Sequence, residues 1–197
     1  MHATDDIVNI IDGFPIPVCH YARSQRHQSF KSNASYGYCA AKQEKYYGFK
    51  GNLLRNLSGV ITGLTLTAAN VDERDSMFDV IAHVKKLLIG DIGFLSLELQ
   101  EKLKQYGIQL ETPKRKNMDD DRAPQFVNEM KSTRRLVKTV INQLKERFSI
   151  AKVGARDIWH LTNRIARKIL SHTIGVVMCH TIGRKPIQFE GLVDHES

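Results

Sequence analysis

Asp12 and Asp91 are the two residues in this chain whose type and placement point to chemistry. Each closes a short apolar run, and each is followed by a glycine within two positions, Gly13 and Gly93. If those runs are neighbouring strands, the two carboxylates converge at one edge of a sheet. Open α/β sheets place their sites at such carboxyl ends of strands. Two fixed carboxylates bind Mg²⁺ or Mn²⁺, and a third acid completes a two-metal site that activates an attacking oxygen and stabilises the leaving one at phosphorus.

The charge balance names a partner for that chemistry. The 197 residues hold 29 Lys and Arg against 21 Asp and Glu, a net charge of +8. Such an excess favours a polyanion, nucleic acid before an acidic membrane. From residue 114 to 168 the imbalance sharpens to 15 Lys and Arg against six Asp and Glu, which reads as a surface that tracks DNA phosphates. No apolar run approaches the roughly 18 residues of a membrane span. The first six residues carry two acids and no basic stretch, so no secretory signal is expected. Three cysteines without a CxxC pair, Cys19, Cys39 and Cys179, suit a reducing cytoplasmic compartment. Cys19-His20 and Cys179-His180 read as small thiols beside surface histidines, not as a zinc site, because no close second pair exists.

The elements that must position the acids read as follows. Residues 7–13 form a buried strand, stopped by Gly13, Pro15 and Pro17. Residues 20–45 form a basic, loop-rich excursion. Residues 46–56 and 59–67 form a hairpin turned at Asn56-Leu57-Ser58-Gly59. The spacing of Met77, Val80, Ile81 and Val84 predicts a helix over 72–85. A strand follows at 87–91, a helix capped by Ser96 and stopped by Gly107, a strand at 108–111, and helices at 125–148 and 155–173. Asp119-Asp120-Asp121 reads as charge complementing the start of the next helix. Trp159 reads as partly core. The sum is an α/β chain, a mixed sheet flanked by helices.

Several segments in order carry a resemblance. They are Ile-Ile-Asp-Gly-Phe-Pro-Ile-Pro-Val-Cys (10–19), Ala-Ser-Tyr-Gly-Tyr-Cys-Ala-Ala-Lys (34–42), Tyr-Tyr-Gly-Phe-Lys (46–50), Thr-Ala-Ala-Asn-Val-Asp-Glu-Arg (67–74) and Leu-Ile-Gly-Asp-Ile-Gly-Phe (88–94). Lys-Arg-Lys-Asn-Met (114–118) and the helix around Arg134-Arg135 extend it, so that it covers roughly residues 7–175. The chain resembles the DDE-type transposases of bacterial insertion sequences. The resemblance implies an RNase H-like catalytic domain that cleaves and joins DNA, with divalent metal held by three acids. Asp12 matches the first acid and Asp91 the second. The partners implied are transposon ends and target DNA, and a homodimer that pairs two ends.

At the third acid the sequence departs from the family. The family's helix motif is an arginine, three residues, the glutamate, six residues, then a lysine. Arg134 and Lys145 fit that spacing, but Lys138 stands where the glutamate belongs. On a helix these three fall within about 40° of one another. Val137, Ile141, Leu144 and Phe148 form the adjoining apolar stripe. Metal binding is therefore expected to be crippled, with the Lys138 ammonium in the metal's place between Asp12 and Asp91. Arg134, Arg135 and Lys145 are expected to contact DNA, and Lys50 to approach the same edge. Only 11 residues precede Asp12, too few for a helical end-recognition segment, so a single domain over 1–197 is expected. The alternative is an inactive DNA-binding remnant, or a regulator that pairs with an intact transposase.

Overall fold

A run of β-branched residues makes the centre of the sheet. In a computed structural model, which describes residues 7–40, 42–152 and 154–192, β1 spans Val8–His20. It pairs antiparallel with β3 (Glu44–Asn56) from Asn9 opposite Asn56 to His20 opposite Tyr46, with a register shift between Pro17 and Cys19. The other edge of β3 is shared by β2 (Ser35–Cys39) and β4 (Ile61–Ala68), both antiparallel. On its second side β1 pairs in parallel with β5 (Lys86–Ile89), and β5 in parallel with β6 (Ile108–Glu111). The result is a six-stranded mixed sheet. The ends of the expected 1–197 domain fall outside the described residues.

Side-chain alternation splits the core between the two faces. Ile10, Phe14 and Ile16 pack with Val137, Val140, Ile141 and Leu144 of α3 (Pro124–Glu146). Ile11 faces the opposite way, with Leu88, Phe94, Leu99 and Leu103. That second layer includes α1 (Glu73–Met77) and α2 (Leu97–Gln105). The last helix, α4 (Ile158–Thr181), buries Leu161 and Ile165 in the α3 layer. Among the described residues no helix is long and apolar enough to cross a membrane.

The hairpin lies where the turn residues put it: Gly59 adopts φ +88°, and the Asn56 side-chain oxygen accepts from the Val60 N–H. Ser96 Oγ caps α2 by accepting from Leu99 N at 3.3 Å. Other expectations are corrected. β1 does not stop at Gly13 but runs on through Pro15 and Pro17. Its pairing with β5 ends at Ile10, so the prolines sit beside an open edge, where a missing N–H breaks no ladder. The 20–45 excursion contains a strand, β2. The helix expected over 72–85 is only α1, followed by a 3-10 turn at Ile81–His83. Met77, Val80, Ile81 and Val84 are nonetheless buried, because packing against Leu88 and Phe94 covers them without a continuous helix. The acids at 119–121 do not start α3, whose first turn carries none. Arg122 binds Asp120 at 2.7 Å and Lys114 binds Asp121 at 2.8 Å. Trp159 is not core but 67% exposed.

The α3–α4 contact encloses His172, which has no exposed surface. Its Nε2 lies 3.2 Å from Gln143 Oε1, an oxygen that only accepts, so Nε2 carries the proton. Burial, aided by the Arg55 guanidinium, holds its pKa down at about 4. A histidine depressed in the fold stabilises it fully above the unfolded value near 6.5 and loses that contribution as pH falls toward 4. Relative to the unsubstituted protein, His172→Leu is therefore expected to gain about 3 kcal/mol between pH 7 and pH 4. Urea unfolding at the two pH values reads this, and an unchanged difference would refute the linkage.

Candidate functional site

The parallel register of β1 and β5 places the two acids. Val8 pairs with Leu87, Asn9 with Leu88 and Ile10 with Ile89. Continued by two residues, that register sets Asp12 beside Asp91, on strands spaced about 4.8 Å apart. Ile10 and Ile89 both belong to the α3-side core, so the acids two residues on face the same helix. Asp12 is 8% exposed, and its Oδ1 accepts from Gly13 N at 3.0 Å. Asp91 caps the 3-10 turn Ile92–Phe94 by accepting from Ile92 N.

Burial is the main force on Asp12, with the Asp91 charge adding to it. Together they push its pKa up to about 6, against the opposing charges of Arg134 and Lys138 and the Gly13 N–H. Two carboxylates this close, one of them buried, repel each other and draw a cation. The cation present is Arg134, whose Nη2 pairs with Asp91 Oδ1. The Arg134 Nε is buried with no hydrogen-bond partner among the described residues.

Lys138 does not do what its position in the sequence suggests. It is exposed, and among the described residues it forms no ion pair within 4.0 Å; it acts on Asp12 only at longer range. Arg134, one turn earlier, takes the contact instead. Lys145 is half-buried, with its Nζ 5.8 Å from the centre of the Phe14 ring, on the Asp12 face. Arg135 is exposed on α3. Lys50 lies on the other face of the sheet. It sits opposite Pro15, in phase with Gly13 rather than Asp12, and its Nζ contacts Val71 O at 3.2 Å and Glu73 Oε1 at 3.5 Å.

Glu73 was not singled out by sequence. Its carboxylate lies 2.7 Å from where a Cβ on Gly13 would stand, and 3.7 Å from one on Gly93. The glycines after the two acids thus make room for a third carboxylate, but on the far face of the sheet edge. The signal was the paired glycines themselves. Among the described residues no three His, Cys, Asp or Glu side chains cluster as a metal site.

The chain matches a family model described as a transposase DDE domain over residues 2–158. Its fold superposes on a chain of the piggyBac transposase synaptic complex with hairpin DNA at a TM-score of 0.50 and 12% identity, covering 94% of this chain and 50% of that one. The chain therefore spans half the length of that relative. A simian T-cell lymphotropic virus intasome in complex with PP2A regulatory subunit B56 gamma aligns at a TM-score of 0.43 and 12% identity, over 84% of this chain and 48% of that one, a likeness too weak to argue from. No curated protein matches.

A carboxyl raised in the fold stabilises it below the unfolded value near 4 and loses that contribution as pH rises through about 6. Ionised Asp12 thus destabilises the metal-free protein by about 2–3 kcal/mol at neutral pH. In chelating buffer Asp12→Asn is expected to raise Tm at pH 7.5 and leave it unchanged at pH 4, read by thermal unfolding.

Proposed function

The chain belongs to the transposase DDE domain family, and from that membership we propose that its Asp12–Asp91 edge acts on DNA phosphodiesters with impaired catalysis. The observation that carries the reading is the β1–β5 register, which aligns the two acids beneath α3. The residues fit one divalent cation. Mg²⁺ needs only one or two carboxylates and fills its shell with water and phosphate oxygens. Asp12 and Asp91 would supply those two, Asp91 through Oδ2, since Arg134 engages its Oδ1. When bound, Mg²⁺ or Mn²⁺ stabilises negative charge at the reacting phosphate. The residues do not fit a second cation, because Lys138 offers an ammonium where a third carboxylate belongs.

The chain's own groups divide the remaining work. Arg134 fixes the orientation of Asp91. Lys145 and Lys138 draw a phosphate toward the acids, and the exposed Arg135 extends the basic face of α3 along the backbone of the DNA. Lys50, on the other face, holds Glu73 and is the least suited of the basic residues to meet the same strand. Transposon ends and target are the DNA this reading names, with two copies pairing two ends, in the cytoplasm. Lys138 also favours a second reading, a DNA-binding remnant or a regulator of an intact transposase.

Nicking of supercoiled plasmid in Mn²⁺ separates the readings. The natural chain is expected to nick slowly and Lys138→Glu at least about tenfold faster, the scale of one lost transition-state contact. Asp12→Asn in the Lys138→Glu background should abolish nicking. Plasmid that stays intact with Lys138→Glu, while DNA binding persists in chelator, would favour the remnant. Mn²⁺ should also raise Tm at neutral pH in the natural chain but not in Asp12→Asn.

A further inference from the structure

A cleft of about 1030 Å³ opens along the far end of β1, beyond the carboxylate pair. Ile16 and Val18 of β1 line it, with the 3-10 turn that follows the strand and the segment between α3 and α4. Phe30 and Leu161, both buried, give it an apolar floor. Lys42, Lys45, Lys152 and Arg156 surround it, against a single acid, Glu44. All four cations are exposed, and none forms an ion pair among the described residues. They leave a net positive charge around an apolar hollow.

Tyr21 stands at this cleft 48% exposed. The Lys45 Nζ lies 5.8 Å from its ring centre, and Tyr36 buttresses it edge-on at 5.6 Å. An aromatic ring held in place next to an ammonium offers a stacking surface and a phosphate contact at the spacing of one nucleotide's parts. Lys145 stands over the Phe14 ring, which lies on β1 between Asp12 and the cleft's Ile16 on the same face. At about 1030 Å³ the cleft is the size of a small-ligand pocket, room for a base or two at a time.

We propose that this cleft binds the unpaired strand of a DNA end whose phosphodiester lies at Asp12 and Asp91. It rests on the DNA reading above and names the substrate form that the site takes: an end with a single-stranded tail. The bases stack at Tyr21 and over the apolar floor, while Lys45, Lys152 and Arg156 follow the phosphates. The blunt duplex beyond it is left to the outer face of α3.

Fluorescence anisotropy in chelating buffer tests this with a blunt duplex, the same duplex carrying an unpaired tail, and a free mononucleotide as competitor. The natural chain is expected to bind the tailed duplex at least about fivefold more tightly than the blunt one, the lower end of one stacked base. Lys152→Ala with Arg156→Ala should reduce tailed binding to the blunt level and flatten its salt slope by about 1.4, at about 0.7 per charge. Tyr21→Ala should lose about fivefold or more on the tailed probe with the slope kept, and Tyr21→Phe should retain it. Blunt-duplex affinity should not change in any of these variants. Equal binding of tailed and blunt probes, equal losses on both, or displacement by mononucleotide as readily as by oligonucleotide would overturn the cleft assignment and leave the DNA reading standing. A natural chain that binds neither probe would end both.

Discussion

Three residue pairs between β1 and β5 decide where the two aspartates of this molecule stand. Their parallel register, Val8 to Leu87 through Ile10 to Ile89, leaves both strands to end their apolar runs on an aspartate at the same height. A slip of one residue would turn one of the acids to the other face. The alignment is not free, because it buries Asp12 beside a like charge, at about 2–3 kcal/mol when ionised. Ile10, Ile11, Phe14 and Ile16, all almost fully buried on the same strand, outweigh it, since burying one such side chain stabilises by about 1.5–3 kcal/mol. The hydrophobic core therefore holds in place a pair of acids that electrostatics alone would separate.

The helix that faces the acids is itself positioned by a buried charge. Arg55 is 2% exposed, yet its Nε and Nη2 donate to Asn56 O and Leu57 O in the hairpin turn, at 2.7 and 2.9 Å, while Nη1 reaches Leu136 O of α3 at 3.0 Å. A guanidinium so enclosed is tolerated only when its donors are taken up. It joins the β3–β4 turn to the middle of α3, two residues from both Arg134 and Lys138. The same charge helps to keep His172 neutral on the neighbouring helix. One arginine thus ties the hairpin to α3 and acts by its charge on α4.

Much of this was legible in the residues. The hairpin, β5, α2 and β6 announce themselves through turn residues, a serine cap and apolar runs, which are local signals. The convergence of Asp12 and Asp91 was legible because each acid closes an apolar run. β2 was not, since Tyr36 and Tyr38 lie exposed on a strand that only pairing with β3 defines. The 72–85 helix failed because periodic apolar residues report burial, and burial was met by short turns. Trp159 failed because helical spacing gives a phase but not which neighbour, if any, covers it. Lys138 shows the same limit at the site: helical spacing sets a phase on α3, yet reach and competition decide contacts, and Arg134 took the one to Asp91. Glu73 was hidden because it lies across the sheet from the acids, where only the space above Gly13 and Gly93 reveals it.

On the proposed reading, in which Lys138 stands where a third carboxylate would, its ammonium changes more than a ligand count. With an acid there, three carboxylates would face one another under α3, and the fold would need a bound cation to relieve them. As it stands, two acids meet Arg134, Lys138 and Lys145, so the local balance is positive without any metal. Arg134 already neutralises Asp91, and the long-range pull of Lys138 eases the burden on Asp12. A DNA phosphate approaching this face meets attraction where a metal-free three-acid site would repel it. An ammonium there would separate two properties that a three-carboxylate site ties together. On that reading the attraction for a DNA backbone does not depend on a cation, while the acid pair still gains stability when one binds, and a second cation finds no third carboxylate to hold it.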